Sequence, residues 1–255
     1  MTKYCPKIRM FSNFLWKYMS DVFRYGLKIS EIGVTNHLIF DITNFYQGFN
    51  KSCEVYSWHA PNEKVRGADI DLFIQNKNGT YQFYMLQAKI MTYRGNYMDI
   101  KKWSPNAQFI KLINAANQES ALPLYLFYNG STNNSYKGNQ DFGISIVEAV
   151  KIRNYRLNQH KTKYINTKIT LDFDTLFNLN MQPFHNLFCN GIKGVSLPSS
   201  IKEDDIYLGK PYHKISIINV EKDDLHDKDF ENFENSGIIK DKNLAPYRII
   251  IKNEK

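Results

Sequence analysis

The stretch GADIDLFIQNKNGTYQFYMLQAKI, residues 67–90, decides the fold. Its two ends, GADIDLFIQ (67–75) and YQFYMLQAKI (81–90), have strand composition and flank NKNG (76–79), which is turn chemistry. The pattern predicts a β-hairpin. Alternate residues of a strand share a face. Phe83, Met85, Gln87 and Lys89 therefore lie on one side of the second strand, and Asp69 and Asp71 share a side of the first. An amide and an ammonium at the end of an apolar face need polar partners, because unpaired burial is costly. The adjoining strand supplies two carboxylates.

Upstream, Phe11, Phe14, Leu15, Met19, Val22 and Phe23 recur at steps that predict an amphipathic helix over 7–24, ended near Gly26. Ser30 is a good N-cap for a second helix. There Glu31, Thr35, Leu38, Ile42 and Phe45 share one face, with Glu31 at its top. Residues 51–66 are polar and irregular. Downstream, Ser104-Pro105 reads as an N-cap and first helical position, opening a helix to about residue 118. LPLYLFYN (122–129) fits a buried strand, and GISIVEAV (143–150) a strand entering a helix. A helical crossover between 81–90 and 122–129 makes those strands a parallel or mixed neighbouring pair in an α/β core. After about residue 190 the composition turns polar, with acidic runs at 202–205 and 221–234, and RIIIK (248–252) reads as a closing edge strand. The expected organisation is one α/β domain over 1–190, with a peripheral C-terminal extension, 191–255, packed on it.

With 43% hydrophobic and 23% charged residues, the 255-residue chain is globular rather than disordered. A net charge of +8 suits a polyanionic partner such as nucleic acid, although a basic chain need not have one. No run approaches the roughly 18 to 20 apolar residues that span a bilayer, and the N-terminus does not read as a signal peptide. Cys5, Cys53 and Cys189 are few, odd in number and without CxxC spacing. Neither a zinc knuckle nor a disulfide framework is indicated, so a reducing cytoplasm is the expected home.

Asp69, Gln87, Lys89 and Glu31 together have a clear chemical use. Phosphodiester hydrolysis needs an activated water and relief of negative charge, and Mg²⁺ held by carboxylate and carbonyl oxygens supplies both. Asp69 is the principal expected ligand. Gln87 would add its side-chain oxygen, and Ala88 its carbonyl. Lys89 would activate the water or stabilise charge. Glu31 is an outer or second-metal ligand, and Asp71 and Glu63 are reserves.

At these residues the chain resembles the PD-(D/E)XK, or restriction-endonuclease-like, superfamily. Asp69 in Gly67-Ala68-Asp69 matches the acid that opens one strand, and Gln87-Ala88-Lys89 matches the [DEQ]-x-K tripeptide on the next. The GxD…QxK form is most similar to Mrr-like restriction enzymes. From Glu31 through LPLYLFYN to PFHNLFC (183–189), the chain is also similar to an uncharacterised bacterial domain family within the superfamily. The resemblance implies an αβββαβ core, with a mixed central sheet flanked by helices. It implies a Mg²⁺-dependent endonuclease, with Mn²⁺ as a substitute. DNA is favoured over RNA, and the setting is bacterial defence. A homodimer or an activating partner also fits. Gln108 sits where some relatives place a polar residue near the site. Two departures stand out: no proline precedes Asp69, and Gln87 is neutral where most members carry an acid.

Plainer roles compete with each of these. Asp69 could cap a turn, Lys89 snorkel from a strand edge, Asp71 pair with a cation, Glu31 favour a helix N-terminus, and Gln108 be a surface amide. His185 reads as a structural histidine, and His37 and His59 are unspecific. Cys189 reads as a buried small apolar residue. The acid-free run 151–168 offers Lys151, Arg153, Arg156, Lys161 and Lys163 to phosphates, with Tyr155 and Tyr164 interleaved, or else forms a solvated face. The rival to the enzyme is a non-catalytic chain that keeps the scaffold and binds nucleic acid or a protein.

Overall fold

The computed structural model of the chain describes residues 4–47, 53–57, 66–97, 100, 107–132, 138–162, 171–189, 191–206, 213–215 and 245–252. Two helices come first, α1 (Tyr4–Arg24) and α2 (Glu31–Gln47). Strands β1 (Cys53–Ser57), β2 (Ile70–Gln75), β3 (Tyr81–Ile90) and β4 (Asn96–Tyr97) follow. Then come α3 (Gln108–Gln118), β5 (Leu122–Tyr128), β6 (Ile144–Glu148), α4 (Ala149–Thr162) and β7 (Leu171–Asp172). The rest are α5 (Phe173–Asn178), β8 (Gln182–Pro183), α6 (Asn186–Cys189), β9 (His213–Ile215) and β10 (Tyr247–Ile251).

Eight strands form one mixed sheet in the order β8-β6-β5-β3-β2-β10-β1-β9, and β4 pairs with β7 apart from it. The hairpin stands as its sequence predicts. β2 and β3 are antiparallel with Phe73 opposite Phe83, and Gly79 takes a left-handed φ of 84° in the turn between them. β3 and β5 are parallel, joined through α3. The first nine residues of β3 are buried, as a central strand covered on both faces requires. Thr35 of α2 meets Tyr128 on one side of the sheet, while Gln108 of α3 meets Gln87 on the other. The protein is thus an α/β fold whose mixed sheet is flanked by helices.

Several expectations need correction. Residues 53–57 form a strand, not irregular chain. The expected helix start at Ser104-Pro105 lies outside the described residues, and the described helix begins at Gln108 with Ala107 as its N-cap. Phe14 faces solvent, although Leu15, Met19 and Val22 pack inward as read. The largest correction concerns the extension. The segment read as an edge strand lies inside the sheet as β10, parallel to β2 and antiparallel to β1. An Ile-Ile-Ile run is apolar on both faces, which suits an interior position better than an edge.

Helix α1 ends in a Schellman motif. Leu27 N–H donates to Val22 O and Gly26 N–H to Phe23 O, with Gly26 at φ 67°. It lies so close to the start of β6 that a Cβ at Gly143 would sit 1.9 Å from Ser12 O. At this corner Cys5 and Cys189 are joined as a disulfide, with Cα atoms 5.1 Å apart across a sequence separation of 184. This corrects the reading of unpaired cysteines and of Cys189 as a plain apolar residue. Sequence spacing could not show that α1 and α6 meet. Cys53 is free and buried, and burial pushes its thiol pKa up.

His185 is buried at the same corner, and its Nδ1 has no hydrogen-bond partner among the described residues. Burial lowers its pKa; Asp141 opposes that shift and Arg9 adds to it. The folded protein therefore binds this proton less readily than the unfolded chain, whose histidines titrate near about 6.5. Its contribution to stability is present above that value and lost as pH falls through it toward the lower folded pKa. Thermal denaturation at a series of pH values should show His185→Gln losing less stability than wild type between about pH 7 and pH 5. Parallel curves for the two proteins would remove His185 from the pH response.

Candidate functional site

Asp69 immediately precedes β2, and Tyr247 of β10 donates its N–H to Asp69 O at 3.2 Å. Asp69 Oδ2 accepts from Gln87 Nε2 at 2.5 Å and from the Ala88 backbone N–H at 2.7 Å. A short chain of contacts thus welds the start of one strand to the end of its neighbour. Gln87, 1% exposed, accepts at Oε1 from Gln108 Nε2 at 2.6 Å. Lys89, 5% exposed, places Nζ 3.3 Å from Glu31 Oε1. Four elements meet here: the approach to β2, the end of β3, and the first residues of α2 and α3. Helix N-termini carry partial positive charge and unpaired N–H groups. Two of them begin at this spot.

Of the sequence-predicted residues, the structure pairs Asp69 with Gln87, to which Gln108 is bonded, and Lys89 with Glu31. Tyr125 was missed. It lies opposite Gln87 in the β3–β5 register and is buried. Burial raises its pKa, and the charges of Asp69 and Glu31 raise it further, so it stays a neutral phenol. Strand register alone could have identified it.

Asp71 does not join the group. It is 0% exposed, and its Oδ2 accepts from Arg66 Nη1 at 3.0 Å and Arg248 Nε at 3.2 Å. Arg66 continues to Glu119 at 2.6 Å. Asp71 is thus the centre of a buried ion-pair cluster two residues along the strand, which corrects its reading as a reserve metal ligand. Glu63 and His59 lie outside the described residues.

The basic run divides in the same way. Arg156 is 4% exposed and donates through Nη2 to Ile100 O, so it serves the interior and cannot reach a phosphate. Lys151 pairs at 2.7 Å with Glu148, the last residue of β6. Arg153 is half-buried and bonds Asn154. The Lys161 side chain and all of Lys163, Tyr164 and Lys168 lie outside the described residues. α4 is therefore not the uniform phosphate-facing stripe that its sequence suggests.

Chemically, the group offers a hard, oxygen-rich donor set beside a buried ammonium. Asp69, Glu31, Gln87 Oε1 and the Ala88 carbonyl are of the right type for Mg²⁺ or Mn²⁺. No cluster of three or more His, Cys, Asp or Glu residues suited to a metal occurs among the described residues. Amide and backbone oxygens would have to complete any such site. The Gln87 amide nitrogen now faces Asp69. A half-turn of that amide, with Gln108 turning in concert, exchanges nitrogen for oxygen without moving the backbone.

Fold and site define an α/β protein with an acid–amide–lysine cluster at the end of a central strand. The chain belongs to the family of unknown function DUF6615, whose family model matches residues 4–243. No curated protein and no solved structure matches it. Among the described residues no helix is long and apolar enough to cross a membrane.

Proposed function

We propose that the chain is a Mg²⁺-dependent nuclease of the PD-(D/E)XK type, with its centre at Asp69, Gln87, Lys89 and Glu31. The observation that carries this reading is the pairing of Asp69 with Gln87 and of Glu31 with Lys89, at alternate residues near the end of β3. The chain order α2-β1-β2-β3-α3-β5 supports it, since it follows the αβββαβ succession that the motif implies. A bound cation would acidify a water and neutralise phosphate charge. Asp69 and Glu31 would hold the cation, with Gln87 and the Ala88 carbonyl completing its oxygen donors. The Lys89 ammonium would face the phosphate and stabilise the charge that develops there. The N-termini of α2 and α3 add a positive field favourable to a phosphate.

A second reading rests on one detail. Asp69 Oδ2 is already satisfied by two N–H donors, as in a structural carboxylate. A non-catalytic scaffold that binds nucleic acid or a protein would have such a centre. The test is incubation with plasmid, single-stranded DNA and RNA under Mg²⁺ or Mn²⁺, beside the isosteric Asp69→Asn variant. Cleavage by the wild type, abolished by chelation and by Asp69→Asn, supports the nuclease, with DNA the first substrate expected. Equal cleavage by both proteins sinks the site. Binding without cleavage by the wild type favours the scaffold.

A further inference from the structure

The outward face of α1 carries a stripe that the site does not use. At 100° per residue, Lys7, Met10, Phe14, Tyr18 and Asp21 fall within about 80° of one another. Met10 is 63% exposed, Phe14 55% and Tyr18 45%. The rings continue onto α2. Tyr18 stacks on Phe14 at 6.1 Å, Phe14 on Phe11 at 6.4 Å, Phe11 meets His37 at 5.7 Å, and His37 stacks on Phe40 at 6.4 Å. Phe40 is itself 60% exposed.

Scattered exposed apolar residues are ordinary, but a connected row across two helices is not. A fully exposed aromatic side chain presents about 200 Å². These half-exposed groups therefore offer several hundred Å², a large share of the roughly 800 Å² that each partner gives to a standard interface. The helix is also held firmly from behind. Its inner face is buried, it is tied to α6 by the Cys5–Cys189 disulfide, and Arg9 pairs with Asp141 at 2.7 Å. A clamped helix presents its outer stripe with little ordering cost.

The charges at the two ends of the stripe identify the occupant. Lys7 lies seven residues before Phe14, and Asp21, which also holds an exposed i,i+3 pair with Arg24 at 3.1 Å, lies seven residues after it. A second α1 laid antiparallel about a two-fold axis at Phe14 puts Lys7 of each copy against Asp21 of the other. It also puts Met10 against Tyr18 and Phe14 against itself. A two-fold interface must be self-complementary in this way. We propose that this face binds a second copy of the same chain through an antiparallel α1–α1 seam, flanked by the His37–Phe40 rings. The inference stands apart from the hydrolytic reading.

The test is sedimentation of the full chain over a concentration series, with circular dichroism to verify folding. The wild type should self-associate as a dimer. Phe14→Glu, at an exposed position, should remain folded and weaken the dimer at least about 30-fold, as a central interface residue does. Lys7→Glu alone and Asp21→Lys alone should each weaken it, because like charges then face each other. The double variant Lys7→Glu/Asp21→Lys should recover most of the affinity. A monomer at all concentrations overturns the proposal. So does a dimer indifferent to Phe14→Glu, or a double variant no better than the singles.

Discussion

Asp71→Ala should cost the fold about 3–5 kcal/mol, the range found when a buried ion pair loses one partner. The carboxylate is fully buried, and the two guanidiniums that it receives, Arg66 and Arg248, are each 3% exposed. Arg66 would keep Glu119 at 2.6 Å. Arg248 would lose its Asp71 contact inside the sheet, where water cannot replace it. The cluster also ties separate parts of the chain together. Asp71 belongs to β2, Arg248 to β10, and Glu119 caps the end of α3. Native domains are stable by only about 5–15 kcal/mol, so a loss of this size consumes much of the margin. For a chain of this length it should lower the melting temperature by about 10 °C or more. The compensating experiment replaces Asp71, Arg66 and Arg248 together by apolar residues of similar volume, which should return much of the stability. Urea and thermal unfolding of both variants decide the matter. A single variant within about 1 kcal/mol of wild type would refute the structural role given to Asp71.

The contrast between Asp69 and Asp71 shows how far the sequence could be read. Alternation in the sequence put both carboxylates on one face of one strand and made them equivalent, whereas Asp69 precedes β2 and Asp71 lies within it. What separates them is Arg248, which sits opposite Asp71 in the β10–β2 register and comes from 177 residues later in the chain. Local signals carried the hairpin, the two leading helices and the adjacency of β3 and β5, because each rests on turn chemistry, helical spacing or a crossover within one stretch. The same signals failed wherever a partner came from far away. β10 was read at an edge because its neighbours lie more than a hundred residues upstream. The Cys5–Cys189 bond was missed for the same reason. Arg156 was read as a surface cation because a charge in a polar helix gives no hint that Ile100 waits beneath it. The Asp69–Gln87 and Glu31–Lys89 contacts were legible because the hairpin brings the first pair together over a short sequence distance, and Glu31 follows from its place at a helix start.

Lys89→Met should separate chemistry from stability at that site. Lys89 is nearly fully buried, whereas the Glu31 side chain is 25% exposed. Methionine keeps the unbranched apolar stem, and the variant removes a desolvated charge. It leaves Glu31 with access to water, so no carboxylate is stranded in the interior. Thermal stability should therefore stay within about 1 kcal/mol of wild type or rise. If the ammonium serves the phosphate or the attacking water, cleavage should nonetheless fall by about 10³-fold, the scale of a lost charge-stabilising or proton-transfer group. Calorimetric titration with Mn²⁺ adds a readout that activity cannot give. Lys89→Met should still bind the ion, because an ammonium is not a ligand, whereas Asp69→Asn should bind it far more weakly. If Lys89→Met loses several kcal/mol instead, the Glu31–Lys89 pair is holding the helix to the sheet. If it cleaves at the wild-type rate, the ammonium has no part in hydrolysis. The proposal that Asp69, Gln87, Lys89 and Glu31 form one catalytic centre then loses the residue that most clearly separates a hydrolytic site from a buried polar cluster.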